Sequence, residues 1–201
     1  MDERLYIYIM KRSLLTILIL VQIITAKAQK NRLLLDEHNK YIFYEVVDVP
    51  GMPADSLNRN ALDFIKIAYP KNINSSNTAM ISIKDKFLTQ NATAFVKHEN
   101  GEINYTFNIE CKDARYRYWI TDFVYTPYER NRYGAFVPVN GISIPLETAA
   151  SKLDKKQLNG YLSQTASFCN HLGDKLKQYM AGKHDHPKAE DKPAKIITDK
   201  W

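Results

Sequence analysis

The sequence predicts an α+β fold, a two-layer sandwich in which an antiparallel sheet of about five strands carries two helices on one face. Two observations predict it. The hydrophobic period changes along the chain in the order strand, helix, four strands, long connection, helix. Each helical segment has a single apolar stripe, and the clearest strands have one apolar and one polar face, so both stripes are satisfied by the same side of one sheet.

The elements follow in order. Residues 29–40 are a polar lead-in around Leu33 to Leu35. Tyr41 to Val49, YIFYEVVDV, is rich in β-branched and aromatic residues and stops at Pro50-Gly51, a strand and a turn. In residues 54–69, Leu57, Ala61, Phe64, Ile65 and Ala68 recur at three and four, one face of a helix. Asp55 or Ser56 is placed to accept from its first free N–H groups, and Pro70 ends it. Asn72 to Thr78 is a polar loop. Met80 to Lys84 returns to period two, with Asp85 to Asn91 as a loop or short extension and Thr93 to His98 as a further strand. Asn100-Gly101 reads as a hairpin turn. Ile103 to Cys111 alternates, Tyr105, Phe107, Ile109 and Cys111 against Asn104, Thr106, Asn108 and Glu110, and Arg115 to Tyr125 is the last long strand. Residues 127–145 form a long connection, either a functional or interface-forming segment that closes over the open face of the sheet or an Ω-like loop held down by Phe136, Val137 and Ile142. Residues 152–181 form the second helix, its stripe running from Leu153 to Met180 and including Phe168 and Cys169, with Gly160 as a weak point worth about 1 kcal/mol relative to Ala.

The two ends have a different character. Lys11 and Arg12, the twelve-residue apolar run Leu14 to Thr25, and Ala26-Lys27-Ala28 make the pattern of a signal peptide over residues 1–28, with Gln29 as the mature start. The run is shorter than the roughly 20 residues that span a bilayer, so no transmembrane span remains after cleavage. An uncleaved anchor is the alternative, and Met10 would itself open a well-formed leader. Residues 29–181 then form one domain, and the charged, proline-containing residues 182–201 a disordered tail. The formal charge of +6 falls to +4 without the leader, which carries four basic and two acidic residues. So mild an excess on an exported chain does not point to nucleic acid. Export allows a disulfide between Cys111 and Cys169. Cysteines on apolar faces are more commonly free and buried.

The strand CKDARYRYWITDF, Cys111 to Phe123, concentrates the functional question. With Tyr116, Tyr118 and Ile120 under the helices, Arg115, Arg117, Trp119 and Thr121 face the open side, beside Thr106, Asn108 and Glu110 and, further over, Ser82 and Lys84. Arginine stacks on aromatic rings and grips carboxylates with two prongs, so this face is the candidate ligand or partner surface, with Glu110 the nearest partner for Arg115 or Arg117. The same pattern also describes a solvated face tied by cross-strand pairs.

Catalytic chemistry is not visible. There is no G-x-S-x-G elbow, P-loop or dinucleotide fingerprint, so no catalytic residue and no cofactor is expected. Cys169 and His171 are two apart on a helix and face different ways. His184-Asp185-His186 lies in the tail with no further ligand nearby, so no metal site is expected. Asp55-Ser56-Leu57 matches a short O-glycosylation signal of three residues, a length that chance often produces.

Two motifs carry a resemblance. Val49-Pro50-Gly51 followed by Asp55, Leu57, Ala61 and Phe64, and later Lys112 to Phe123, together resemble domain of unknown function 4468, a family of exported bacterial proteins with a fold like that of the TATA-binding protein. The resemblance covers residues 40–181 and departs at Pro53, where a Ser or Thr cap is common. It implies a saddle-like sheet with helices on one side and no established enzymatic residues. DNA binding does not transfer with the fold.

These readings lead to an exported, non-catalytic binding or interaction module of the periplasm or cell surface of a Gram-negative bacterium. Its partner would be a protein, peptide or glycan of the envelope. The alternatives are a small envelope hydrolase using Asp113, Asp122 or Glu110, and a structural component that pairs through a sheet edge.

Overall fold

Residue parity organises the sheet. In the central strands the odd-numbered residues Ile81, Ile83, Ile103, Tyr105, Phe107 and Ile109 and the even-numbered Tyr116, Tyr118 and Ile120 all point to one side and are buried. The computed structural model describes residues 33–70, 76–77, 80–90 and 99–182. In chain order these form β1 (Leu34–Leu35), β2 (Tyr41–Asp48), α1 (Ala54–Ala68), β3 (Ser76–Asn77), β4 (Met80–Gln90), β5 (Glu99–Lys112), β6 (Arg115–Arg130), β7 (Phe136–Pro138), β8 (Ile144–Pro145), a 3-10 turn at Ala149–Ser151, and α2 (Lys155–Met180). The strands run β1-β2-β6-β5-β4-β3, every pair antiparallel, with β8 and β7 joined to the second half of β6.

Both helices cover the same face. Leu57, Ala61, Phe64 and Ile65 of α1 and Tyr161, Cys169, Leu172, Leu176 and Met180 of α2 share one core with the inward strand residues. Rings knit the layers together. Phe168 stacks on Phe87 at 4.2 Å, Tyr161 on Tyr125 at 4.3 Å, and Phe64 of α1 meets Tyr179 of α2 at 5.7 Å. The predicted two-layer α+β arrangement is therefore present, with eight strands in place of about five because several short pieces attach to its edges.

A bulge divides β6. Asn104 pairs with Val124 and Thr106 with Thr121, so Tyr105 faces both Asp122 and Phe123. Asp122 occupies the left-handed region at φ 56, a conformation that Asp tolerates better than most residues. The extra residue reverses parity. Before it Tyr116, Tyr118 and Ile120 are buried, and after it Phe123 and Tyr125 are.

The turn between β5 and β6 is clamped to the start of α1. Val49 N–H donates to the Ala114 carbonyl at 2.7 Å, and Ala114 N–H donates to the Met52 carbonyl at 2.9 Å. Neither Asp55 nor Ser56 caps α1. Its N-cap is Pro53, which makes no side-chain cap, and the Ala54 N–H donates instead to Asp113 Oδ1 at 2.8 Å. A carboxylate close in space but remote in sequence thus satisfies a free helical donor. Asp113→Ala is expected to lower unfolding free energy by about 1 kcal/mol, with Asp113→Asn retaining part of it, as read by urea denaturation. An unchanged Asp113→Ala midpoint would show that the cap contributes nothing. By contrast, α2 starts with a complete capping box, Asp154 accepting from Gln157 N–H and Gln157 from Asp154 N–H.

Other expectations need correction. β4 runs without a break to Gln90, so of the two readings of the stretch from Asp85 it is the extension of the strand that is present and not the loop. Asn100-Gly101 lies within β5 and is not a turn. Gly101 is required for room, because a Cβ there would come within 2.5 Å of the Tyr125 ring and 2.6 Å of the Thr126 carbonyl oxygen. Ser76–Asn77, expected in a loop, is a two-residue strand. β6 continues past Tyr125 to Arg130. The connection after it doubles back as β7 and β8 and is held by buried Ile144 and Leu146, whereas Phe136 and Ile142 are exposed. The second helix begins at Lys155, not at residue 152, and Gly160 does not interrupt it. The expected leader, the strand at Thr93 to His98 and the tail from Lys183 with His184 and His186 lie outside the described residues.

Candidate functional site

The outer face of β2, β6, β5 and β4 is built in rows set by the register. Val46, Arg117 and Glu110 form one row across three strands. Tyr44, Trp119, Asn108 and Ser82 form the next, and Thr121, Thr106 and Lys84 a third. At the other end Asp48 stands opposite Arg115, and Arg115 opposite Lys112. The register therefore brings together Thr106, Asn108, Glu110, Arg117 and Trp119 as the sequence predicts and puts Arg115 at the margin.

The charge arrangement is specific. Arg117 Nε donates to Glu110 Oε2 at 2.7 Å, and Nη2 donates to the same oxygen. The guanidinium carbon lies 5.3 Å from the centre of the Trp119 ring. Lys112 Nζ approaches Glu110 Oε1 at 3.6 Å. The Arg117 hydrogen bond holds the Glu110 carboxyl below its ordinary range, with Lys112 adding to the effect. Arg117 is held above its ordinary range by Glu110 first and the Tyr44 hydroxyl second. Pairing of this kind fixes a planar cation in place while leaving one of its faces and edges for another group. Asn108 is buried, Thr106 and Trp119 are half-buried, and Arg115 and Arg117 are exposed.

Tyr44 and Val46 belong to this face and were not assigned to it from sequence. They are 46% and 47% exposed, and with Arg117, Arg115, Lys112 and Glu110 they line a depression of about 230 Å³. The alternation of YIFYEVVD carried the signal for their common orientation. Nothing local announces that β2 lies next to β6. A second, flatter hollow of about 550 Å³ spans Lys84, Lys86, Asn104, Thr106 and Asp122. Nearby, buried Glu102 accepts from Tyr128 Oη at 2.8 Å and pairs with Lys86 Nζ at 2.7 Å.

The carboxylates considered for hydrolysis do not converge. Asp113 caps α1, Asp122 pairs with Lys40 Nζ at 2.6 Å at the bulge, and Glu110 is engaged by Arg117 in mid-face. Cys111 and Cys169 are both buried free thiols, so the disulfide that export would allow between them is not formed. Burial pushes Cys111 up to about 11, with Glu110 adding to it, and pushes Cys169 up as well. Among the described residues, no three His, Cys, Asp or Glu side chains gather as a metal site, and no helix is long and apolar enough to cross a membrane.

The family model described as "Domain of unknown function (DUF4468) with TBP-like fold" matches residues 43–126, which run from β2 through most of β6 and include α1. No curated protein matches the chain. Two solved structures are similar in fold. A TBP-like protein from Parabacteroides distasonis is 16% identical with a TM-score of 0.55, covering 71% of this chain and 94% of its own. A DUF4468 family protein from Bacteroides ovatus is 12% identical with a TM-score of 0.55, covering 79% of this chain and 98% of its own. At these identities the likeness speaks for the fold.

Proposed function

We propose, for a chain whose residues 43–126 belong to the DUF4468 family with its TBP-like fold, that it is a non-catalytic binding module using the open face of the sheet. The observation that carries this reading is the Glu110–Arg117–Trp119 arrangement beside exposed Tyr44 and Val46. An oriented guanidinium over an indole ring, flanked by exposed apolar and aromatic side chains, is suited to recognition because its geometry is fixed before a ligand arrives. The signal-peptide pattern of residues 1–28 supports action outside the cytoplasm, in the periplasm or at the cell surface.

The test compares recovery of envelope components by the full chain and by Arg117→Ala/Trp119→Ala, with Lys156→Ala on the exposed side of α2 as control. Loss of a recovered component by at least about tenfold in the double variant, with none in the control, is expected for residues central to an interface. Equal recovery by all three proteins would remove the face from consideration.

A further inference from the structure

The two edges of the sheet are treated differently. On the β4 side β3 pairs with Met80 and Ile81, and at the far end the Gln164 side-chain amide clamps the backbone of Gln90. Gln164 Nε2 donates to the Gln90 carbonyl at 2.9 Å, and Gln90 N–H donates to Gln164 Oε1 at 2.9 Å. Lys84 and Lys86 also stand on this strand. Short pairing, a side-chain clamp and lysines are the usual guards against unwanted strand addition.

The β2 side has a two-residue pairing of its own but neither the side-chain clamp nor the lysines. Among the described residues its outer edge is paired at Tyr41 and Ile42 alone, by β1, while β6 takes the inner edge from Phe43 to Asp48. Tyr44 to Asp48, YEVVD, contains no lysine, no proline and no bulge. This stretch, whose charged residues are Glu45 on the inner face and Asp48 on the outer, borders the depression over Val46, on the far side of which stand Arg115 and Arg117. Lys112, Arg115 and Arg117 outnumber Glu110 and Asp48 there, and Glu110 is already taken by Arg117.

We propose that the Tyr44–Asp48 edge of β2 is a docking strand for an extended acidic peptide, which adds to the sheet and lays a carboxylate across Val46 toward Arg117 and, on the diagonal, Arg115. This rests on the reading of the open face as a binding surface. An added strand would lie about 4.8 Å outside β2, so β6 would be about two such spacings from it. Long glutamate and arginine side chains meet across that gap because Val46 between them is short. Main-chain hydrogen bonds would supply affinity, and the charge would supply selectivity.

The probe is a fluorescein-labelled, end-blocked heptapeptide of alternating valine and glutamate, titrated into the full chain by anisotropy. Parallel titrations use the same peptide with the N–H groups of one edge methylated, and a valine–lysine heptapeptide. The parent is expected to bind. Methylation is expected to weaken it by about tenfold or more, since each lost hydrogen bond is worth roughly 1 kcal/mol. The lysine peptide is expected not to bind, and Arg115→Gln to weaken the parent severalfold and lessen its salt dependence. Equal binding by parent and methylated peptides, equal binding by the lysine peptide, or no binding because a second copy or the chain's own upstream residues occupy the edge would each overturn the proposal. Loss of the envelope component in Arg117→Ala/Trp119→Ala, together with equal competition for it by parent and methylated peptides, would keep the binding face and remove the docking edge.

Discussion

Deleting Val124 is expected to destabilise the protein by about 3–5 kcal/mol, whereas deleting Asp122 is expected to leave it folded. Asp122 is the extra residue of β6 between Ile120 and Phe123, both of which face the core. Removing it restores a regular alternation in which Tyr116, Tyr118, Ile120, Phe123 and Tyr125 all still turn inward, with Tyr105 facing Phe123 between the Asn104–Val124 and Thr106–Thr121 pairs. Removing Val124 has the opposite effect. If the bulge stays, Tyr125 turns outward. If β6 becomes regular, Tyr125 stays inside, but Asp122 turns inward and Phe123 outward. Either way one buried aromatic leaves the core, a large part of the roughly 5–15 kcal/mol by which a domain is stable. The measurement is near-ultraviolet circular dichroism through a thermal melt, in which the Asp122 deletion is expected to keep a cooperative transition near that of wild type and the Val124 deletion to melt far lower or without one. Equal transitions in the two deletion variants, or loss of the transition in the Asp122 deletion alone, would refute this account of the bulge. Asp122→Gly is expected to melt close to wild type, because glycine accepts the positive φ and the lost Lys40 pair is exposed.

Gly173→Ala is expected to destabilise the protein by about 2 kcal/mol, although alanine is the better helix former. A Cβ at Gly173 would collide with the Tyr118 hydroxyl and lie 2.9 Å from its Cζ. Tyr118 cannot retreat. Its ring is wholly buried, and its hydroxyl donates to Glu45, which also holds Lys177 Nζ at 3.0 Å. Burial pushes the Tyr118 phenol well above its ordinary range, and the Glu45 bond adds to it, so this donor stays protonated. Overpacking of about 3 kcal/mol outweighs the helix gain of about 1 kcal/mol. For a domain of this size the net change lowers Tm by about 4–8 °C. Tyr118→Phe removes the nearest clashing atom, so the pair Gly173→Ala/Tyr118→Phe should fall short of the sum of the single effects. A Gly173→Ala protein that melts higher than wild type would show that the ring moves aside freely.

Much of this was legible from periodicity. The stripe Leu57, Ala61, Phe64 and Ile65 and the alternation from Ile103 to Cys111 name the buried faces directly, because a side chain's direction within one element depends on local backbone geometry. The same logic put Arg117, Trp119 and Glu110 on one surface. It failed at Asn100-Gly101, whose composition says turn, because the glycine serves the Tyr125 ring that packs over it from β6. It also missed the break in ITDFVY, where Ile120 and Phe123 are three apart and Asp122 stands between them in the left-handed region.

Local periodicity was enough to say which residues of each strand and helix share a side, that both helices cover one face of the sheet, and that Arg115 and Arg117 have no place in the core. Each follows from the 2.0 and 3.6 periods and from the cost of burying charge. Contacts between distant segments alone place Tyr44 and Val46 next to Arg117, let Asp113 cap a helix whose first residue lies 59 positions before it, and leave the Tyr44–Asp48 edge of β2 without a clamp or lysines. Those are relations between segments tens of residues apart. They are settled by strand order and register, which depend on how the whole core packs and not on the local preferences of any one segment.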